Sequence, residues 1–128
     1  MKNTFVAAVF GTIFAVPVVA DPVFGTWKTK PDDNGRFGHI EIKQCGETIC
    51  GEMVASFEAN GKKYKSENLG KNIVWNMKPK KDGKYGGGKI WAPDRDKTYS
   101  SKMELVDAGN GLKVKGCVAI ICRDGGTW

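Results

Sequence analysis

The chain has 128 residues, with 20 lysines and arginines against 14 aspartates and glutamates and a formal net charge of +6. This length suffices for one compact domain and is too short for two. Because it has a single histidine, the chain has few residues that could form a metal centre or a histidine-dependent catalytic site.

The N-terminus has the pattern of a secretory signal peptide. Lys2 is the only charged residue ahead of an apolar run, and small residues lead to a cleavage point near Ala20. The run is shorter than the ~20 apolar residues that span a bilayer and is broken by glycine and proline. We therefore expect a signal peptide over residues 1–20, one domain over residues 21–128, no membrane span, and a location in the periplasm or outside the cell.

The predicted domain is all-β. No part of it keeps apolar residues at helical spacing, whereas alternation with a period of two recurs along its length. Eight sequential antiparallel strands leave two edges, and closure into an up-and-down barrel removes both. The predicted strands cover about residues 25–30, 36–44, 49–58, 72–78, 84–92, 97–106, 112–117 and 121–128.

Alternation also predicts which side chains face the interior. A barrel of eight strands is either filled by its own side chains or holds one small ligand, and both interpretations remain open. Cys50, Glu52 and Ser56 are predicted to face outward. The predicted inward side chains include Trp27, Ile40, Ile42, Ile49, Met53, Ala55, Phe57, Ile73, Trp75, Met77, Tyr99, Met103, Leu105, Leu112 and Val114.

The four cysteines form two segments of equal spacing, which favours two disulfide-stapled hairpins in an oxidising compartment. Alternation places Cys45 and Cys50 on one face of a hairpin, as direct cross-strand neighbours that flank a four-residue loop. Cys117 and Cys122 fit a second hairpin, whose tip at residues 118–121 is apolar. The alternative is a buried strand there and a different pairing, such as Cys45 with Cys122.

Lysines are concentrated in one part of the chain. Eight of them lie between Ala59 and Lys84 against only Glu67 and Asp82, a local net charge of +6. The segment is either an ordinary solvated surface or an electropositive face for an anionic partner. Nucleic acid is not expected, because no nucleic-acid-binding motif accompanies the lysines. The lysines predicted to pair with a ligand's anionic group are Lys62, Lys63 and Lys65.

The sequence contains no arrangement that predicts catalysis. His39 lies at an outward position of the second strand, the cysteines are expected to be oxidised, and no serine lies on a sharp strand-to-helix turn. Asp94 and Asp96 are the only clustered oxygen ligands, and a turn accounts for them without a metal. We expect neither an enzyme nor a cofactor.

A set of short motifs resembles a known family. The set comprises F-G-T-W at 24–27, C-G-E-T-I-C-G at 45–51, G-G-K-I-W-A-P-D at 87–94, K-T-Y at 97–99, G-C at 116–117 and C-R-x-x-x-W, which begins at Cys122. Together they resemble the DUF2147 family of small secreted bacterial proteins, and the G-T-W resembles the G-x-W of lipocalins. The lysine-rich segment 62–65 departs from the N-P and arginine of many members.

This resemblance implies a lipocalin-like barrel in the periplasm, without a settled biochemical role. It also implies that Trp27 closes one end of the barrel and that Arg123 packs over it.

Two non-catalytic functions are expected. In the first, the barrel carries a small amphiphilic or anionic apolar ligand, which lies against Trp27, Trp75, Tyr99 and Met103 with lysines at the mouth. In the second, the protein is an interaction module, for example a hydrolase inhibitor, that acts through its stapled loops.

Overall fold

The structure is a computed structural model and describes residues 21–128; the predicted signal peptide and its cleavage point after Ala20 lie outside the described residues. No helix within residues 21–128 is long and apolar enough to cross a membrane. A 3-10 turn covers Asp107–Gly109. The strands are β1 (Gly25–Lys28), β2 (Phe37–Cys45), β3 (Thr48–Phe57), β4 (Lys63–Tyr64), β5 (Asn72–Pro79), β6 (Lys84–Ala92), β7 (Lys97–Val106), β8 (Gly111–Val118) and β9 (Ile121–Thr127).

The strands form one antiparallel up-and-down sheet. Its order is β1-β2-β3-β5-β6-β7-β8-β9, and the two-residue β4 pairs with β3 beside this path. The sheet curls into a half-barrel. The Lys30 side chain, two residues after β1, packs against Gly126 of β9. The predicted all-β, eight-stranded antiparallel architecture is confirmed.

Both predicted disulfides are confirmed. The Cys45–Cys50 disulfide links the strands of the β2–β3 hairpin, and the Cys117–Cys122 disulfide links those of the β8–β9 hairpin. Cys117 lies directly opposite Cys122. In the first hairpin the turn is tighter than predicted, because Cys45 lies opposite Thr48. The two cysteines therefore share a face but meet diagonally, with 5.7 Å between their Cα atoms, and the expectation of direct neighbours was wrong.

The concave face is filled by its own apolar side chains. Burying each such side chain stabilises the fold by about 1.5–3 kcal/mol relative to exposure. The buried core consists of Val23, Trp27, Ile40, Ile42, Ile49, Ile73, Val74, Met77, Tyr85, Met103, Leu112 and Val114.

Gly88 of β6 packs tightly against β5. A Cβ atom at this position would lie 2.6 Å from Met77 Sδ and 2.8 Å from the Trp75 carbonyl oxygen. Both distances are too short for a real contact, and interiors this close-packed have little room to relax. Glycine at position 88 is therefore a packing requirement of the core.

We predict that Gly88→Ala lowers the free energy of unfolding by about 1–3 kcal/mol, because the added methyl group overpacks the core. Gly86→Ala is the matched control, since its Cβ would make only an ordinary 3.5 Å contact with Lys80 Cε. Urea unfolding of both variants measures the difference. Equal stability of Gly88→Ala and wild type would contradict the packing requirement.

A bulge in β3 reverses the predicted facing at the end of that strand. The register leaves Val54 as an extra residue opposite the step from His39 to Ile40. Beyond it, Ser56 is buried on the side of Gly38, its cross-strand partner. The predicted inward facing of Ala55 and Phe57 and the predicted outward facing of Ser56 were wrong for this reason.

A second bulge turns Trp75 out of the interior. Val74 and Met77 are both fully buried, and Asn76 between them has a left-handed φ of 58°. Trp75 instead lies opposite Lys89, an exposed residue of β6. The prediction that Trp75 faces the interior was wrong, because alternation alone cannot locate the extra residue.

The segment before β1 covers one end of the half-barrel. Val23 is fully buried, and its carbonyl oxygen accepts a 2.8 Å hydrogen bond from Trp27 Nε1. The carboxylate of Asp21 accepts hydrogen bonds from the Val23 N–H and from the Tyr85 hydroxyl. The chain that leads into β1 is thereby tied to β6 across the end of the core.

Arg123 does not take part in this closure. It lies opposite Gly116 at an exposed position of β9. Within residues 21–128, the cations that lie over aromatic rings are Lys28, Arg36, Lys71 and Arg95. The predicted stacking of Arg123 on Trp27 is therefore absent from the described residues, and the indole of Trp27 is held by Val23 instead.

Burial, together with the hydrogen bond to Asp21, raises the pKa of Tyr85 above its ordinary value. Above about pH 10 the unfolded chain loses this phenol proton more readily than the folded chain does, so stability falls as the pH rises. We predict a steeper loss between pH 9 and 11 for wild type than for Tyr85→Phe, by up to about 1.4 kcal/mol per pH unit. Urea unfolding measures both profiles. An equal slope of the free energy of unfolding against pH in the two proteins would refute this assignment.

Candidate functional site

Lysines occupy the outer face of three adjacent strands. Because alternate residues of β6, β7 and β8 fill the core, the intervening residues face solvent. The outward lysines are Lys84 and Lys89 on β6, Lys102 on β7, and Lys113 and Lys115 on β8. One sheet surface therefore collects cations from a long stretch of sequence.

The register brings like charges together. Lys102 lies directly opposite Lys115, at a cross-strand spacing of about 4.5–5.5 Å between Cα atoms. Like charges directly opposite destabilise a sheet, by an amount comparable to the ~0.2–1 kcal/mol that favourable pairs contribute. Glu104 lies between Lys84 and Lys113, and Asp124 of β9 lies opposite Lys115, so two carboxylates accompany the lysines of this surface.

Lysine side chains of β5 and of the turn after it lie beside two glycines of this surface. Lys78 of β5 pairs with Gly86, and its Nζ lies 3.8 Å from where a Gly87 Cβ would be. The side chain of Lys80 lies beside Gly86. Gly87 has a left-handed φ of 72°, but Gly86 has neither a positive φ nor crowded surroundings. The fold does not require glycine at position 86, where an added Cβ would lie 3.5 Å from Lys80 Cε.

These features form one depression of about 790 Å³, which we call the basic groove. Its lysines are Lys80, Lys84, Lys89, Lys102, Lys113 and Lys115, and its single acidic residue is Glu104. The hydroxyl of Ser100 also lines it, and Ala119 and Ile120 border it.

The lysines of the basic groove are free of ion pairs. The ion pairs within residues 21–128 are Arg36–Glu58, Lys43–Glu52 and Arg95–Asp94, and none of them includes a groove lysine. The positive charge of the groove is therefore not neutralised by direct contacts in the described part of the chain. An anion in the groove would meet several ammonium groups at once.

The aromatic and methionine residues predicted to line a ligand pocket do not share one site. Trp27 and Met103 belong to the buried core, whereas Trp75 lies on the outer face. Tyr99 is half-buried, and its hydroxyl accepts a 3.3 Å hydrogen bond from Arg95 Nη1. These four residues are therefore dispersed between the core, its rim and the opposite surface.

The lysines predicted to bind an anionic group lie elsewhere. Lys63 is on β4 opposite Phe57, with Lys62 before it and Lys65 after it, and all three are exposed. They border β3 and do not line the basic groove. The lysine-rich segment is thus divided in space, and Lys80 and Lys84 are its members in the groove.

The sequence analysis missed the lysines of the last three groove strands. Lys89, Lys102, Lys113 and Lys115 are spread thinly along the chain, so local charge density does not reveal them. The sequence signal that could have identified them is the outward position that each of them holds on consecutive predicted strands. Only the register shows that Lys102 and Lys115 meet.

The described residues offer no metal site, since residues 21–128 contain no group of three or more histidine, cysteine, aspartate or glutamate side chains that could hold an ion. His39 lies on the outer face, with its ring centroid 4.6 Å from that of Phe57 and 6.5 Å from that of Phe37. Asp96 accepts a hydrogen bond from Trp91 Nε1, which gives it a structural role in its turn.

The fold and the groove define a small all-β half-barrel with a packed interior and a cationic outer face. The chain belongs to the family of uncharacterized proteins conserved in bacteria, DUF2147, whose family model matches residues 25–128. Searches of curated proteins and of solved structures found no match. The predicted family membership is confirmed, while the likeness to lipocalins stays a prediction.

Proposed function

We propose that this protein is a non-catalytic binding protein that holds anionic ligands in the basic groove. The observation that carries the proposal is the set of six lysines on neighbouring strands, none of which forms an ion pair within residues 21–128. Natural surfaces usually intersperse charges of both signs, whereas a field of one sign steers an oppositely charged partner.

The cross-strand pair Lys102 and Lys115 supports this proposal most directly. Two opposed ammonium groups repel each other in the free protein, and an anion that accepts hydrogen bonds from both removes the repulsion. Phosphate and carboxylate oxygens form the strongest bonds of this kind, because donor and acceptor are both charged. Lys80, whose side chain lies beside Gly86, adds a further ammonium group to the groove.

The interior offers less support for a ligand. The core around Gly88 has no room for an added methyl group, and Ile40, Val74 and Met77 are fully buried. A carrier that encloses its ligand needs a cavity lined by apolar side chains. We therefore place the ligand on the outer face, and retain from the carrier hypothesis the anionic character of the ligand.

Export is part of the same proposal. The signal-peptide pattern of residues 1–20 and the two disulfides support a mature protein in the periplasm or outside the cell. Its anionic ligands are then those of the cell envelope.

A second candidate is a protein-interaction module. Its support is the exposed apolar tip of the β8–β9 hairpin, where Ile120 is 95% exposed. The Cys117–Cys122 disulfide holds this tip in one conformation, as a protruding recognition loop requires.

The proposal predicts that removal of groove lysines weakens anion binding selectively. Lys102, Lys113 and Lys115 replaced together by glutamine should lose at least about 10-fold in affinity for tripolyphosphate, because each lysine near an anionic surface contributes about 1 kcal/mol. Calorimetric titration at physiological ionic strength measures this affinity.

The matched control replaces Lys62, Lys63 and Lys65 by glutamine, which removes the same charge from the neighbourhood of β4. Its affinity should stay within about 2-fold of wild type, because screening limits charge effects to about 8 Å at physiological ionic strength. Equal losses in the two triple variants, or no binding by wild type, would refute the groove as the site.

A further inference from the structure

The tip of the β8–β9 hairpin exposes aliphatic side chains to solvent. Val118 lies opposite Ile121, and these side chains are 65% and 68% exposed, while Ile120 between them is 95% exposed. They are the largest exposed apolar side chains of the described residues, with Val54 on β3 as the remaining one. The Cys117–Cys122 disulfide closes the hairpin directly beneath them.

This apolar tip is continuous with the basic groove. Ala119 and Ile120 border the same depression as the six groove lysines. Lys115 lies two residues before Cys117 on the same face of β8, so the first groove lysine directly follows the disulfide that closes the tip. The surface is therefore apolar at its end and cationic along its side.

We propose that this surface docks onto an anionic lipid bilayer. The tip enters the boundary between headgroups and acyl chains, and the groove lysines bind lipid phosphates. The inference rests on the proposed anion-binding function and names its partner. A single weak apolar anchor binds a membrane only marginally, whereas one anchor combined with a polybasic patch gives stable attachment.

The composition of the surface favours lipid over a protein partner. Protein interfaces are depleted of lysine, and their energetic centres are rich in tryptophan, tyrosine and arginine. Here the cations are lysines and the apolar tip consists of valine, alanine and isoleucine. The disulfide keeps the tip rigid, so little conformational entropy is lost on docking.

The test is co-sedimentation of the purified protein with phosphatidylglycerol–phosphatidylcholine vesicles and with pure phosphatidylcholine vesicles. Wild type should bind the anionic vesicles and not the neutral ones. Ile120→Ser should reduce partitioning to anionic vesicles by about 10-fold, because the side chain loses its transfer from water to the apolar boundary. Val54→Ser is the matched control and should bind like wild type, since Val54 lies far from the tip in the sheet order.

Tripolyphosphate binding separates this inference from the proposed function. Ile120→Ser should bind tripolyphosphate as wild type does, because the soluble anion does not use the tip. Tripolyphosphate binding without vesicle binding, or equal vesicle binding by wild type and Ile120→Ser, would overturn the membrane inference alone. A protein partner that requires Ile120 in the absence of vesicle binding would also overturn it. If wild type binds neither tripolyphosphate nor anionic vesicles, both proposals are overturned.

Discussion

The packing of one sheet face against itself is the constraint on which the rest of the structure depends. The sheet curls until its inner side chains fill the space that they enclose, and at Gly88 the fit leaves no room for a methyl group above Met77. Apolar burial of this kind is the main stabilising contribution to a small domain. A consequence is that polar and charged side chains are confined to the outer face and the rims. The geometry that stabilises the protein thus also determines which side chains are exposed to solvent.

One short segment serves both faces of the sheet. Gly88 allows β5 and β6 to approach within the core, Gly87 takes the left-handed conformation of a bulge, and Gly86 lies beside the Lys80 side chain at the basic groove. The first two glycines have structural causes that can be stated from contacts and φ. Gly86 has neither cause. Three glycines in a strand interior weaken the strand. This weakened part of β6 lies beside the six lysines of the basic groove.

The sequence predicted the all-β class, the sequential antiparallel order and both disulfides, because alternation, short loops and cysteine spacing are local signals. It failed wherever an extra residue enters a strand. The bulges at Val54 and Asn76 reverse the faces of Phe57 and Trp75, and bulges depend on how neighbouring strands twist and pack rather than on local composition. The site was missed for a related reason. Lysine density along the chain pointed to residues 62–65, whereas the groove is assembled by register from strands far apart in sequence.

The central claim is that ligands bind the outer face and leave the packed interior undisturbed. Nuclear magnetic resonance of the isotopically labelled protein tests it most directly, through a titration with tripolyphosphate. We expect the largest shifts at the amides of Gly86, Lys102 and Lys115, with the methyl signals of Ile40 and Met77 unchanged. Shifts concentrated at those two buried side chains, with the groove amides unmoved, would place the ligand inside the half-barrel and contradict the account.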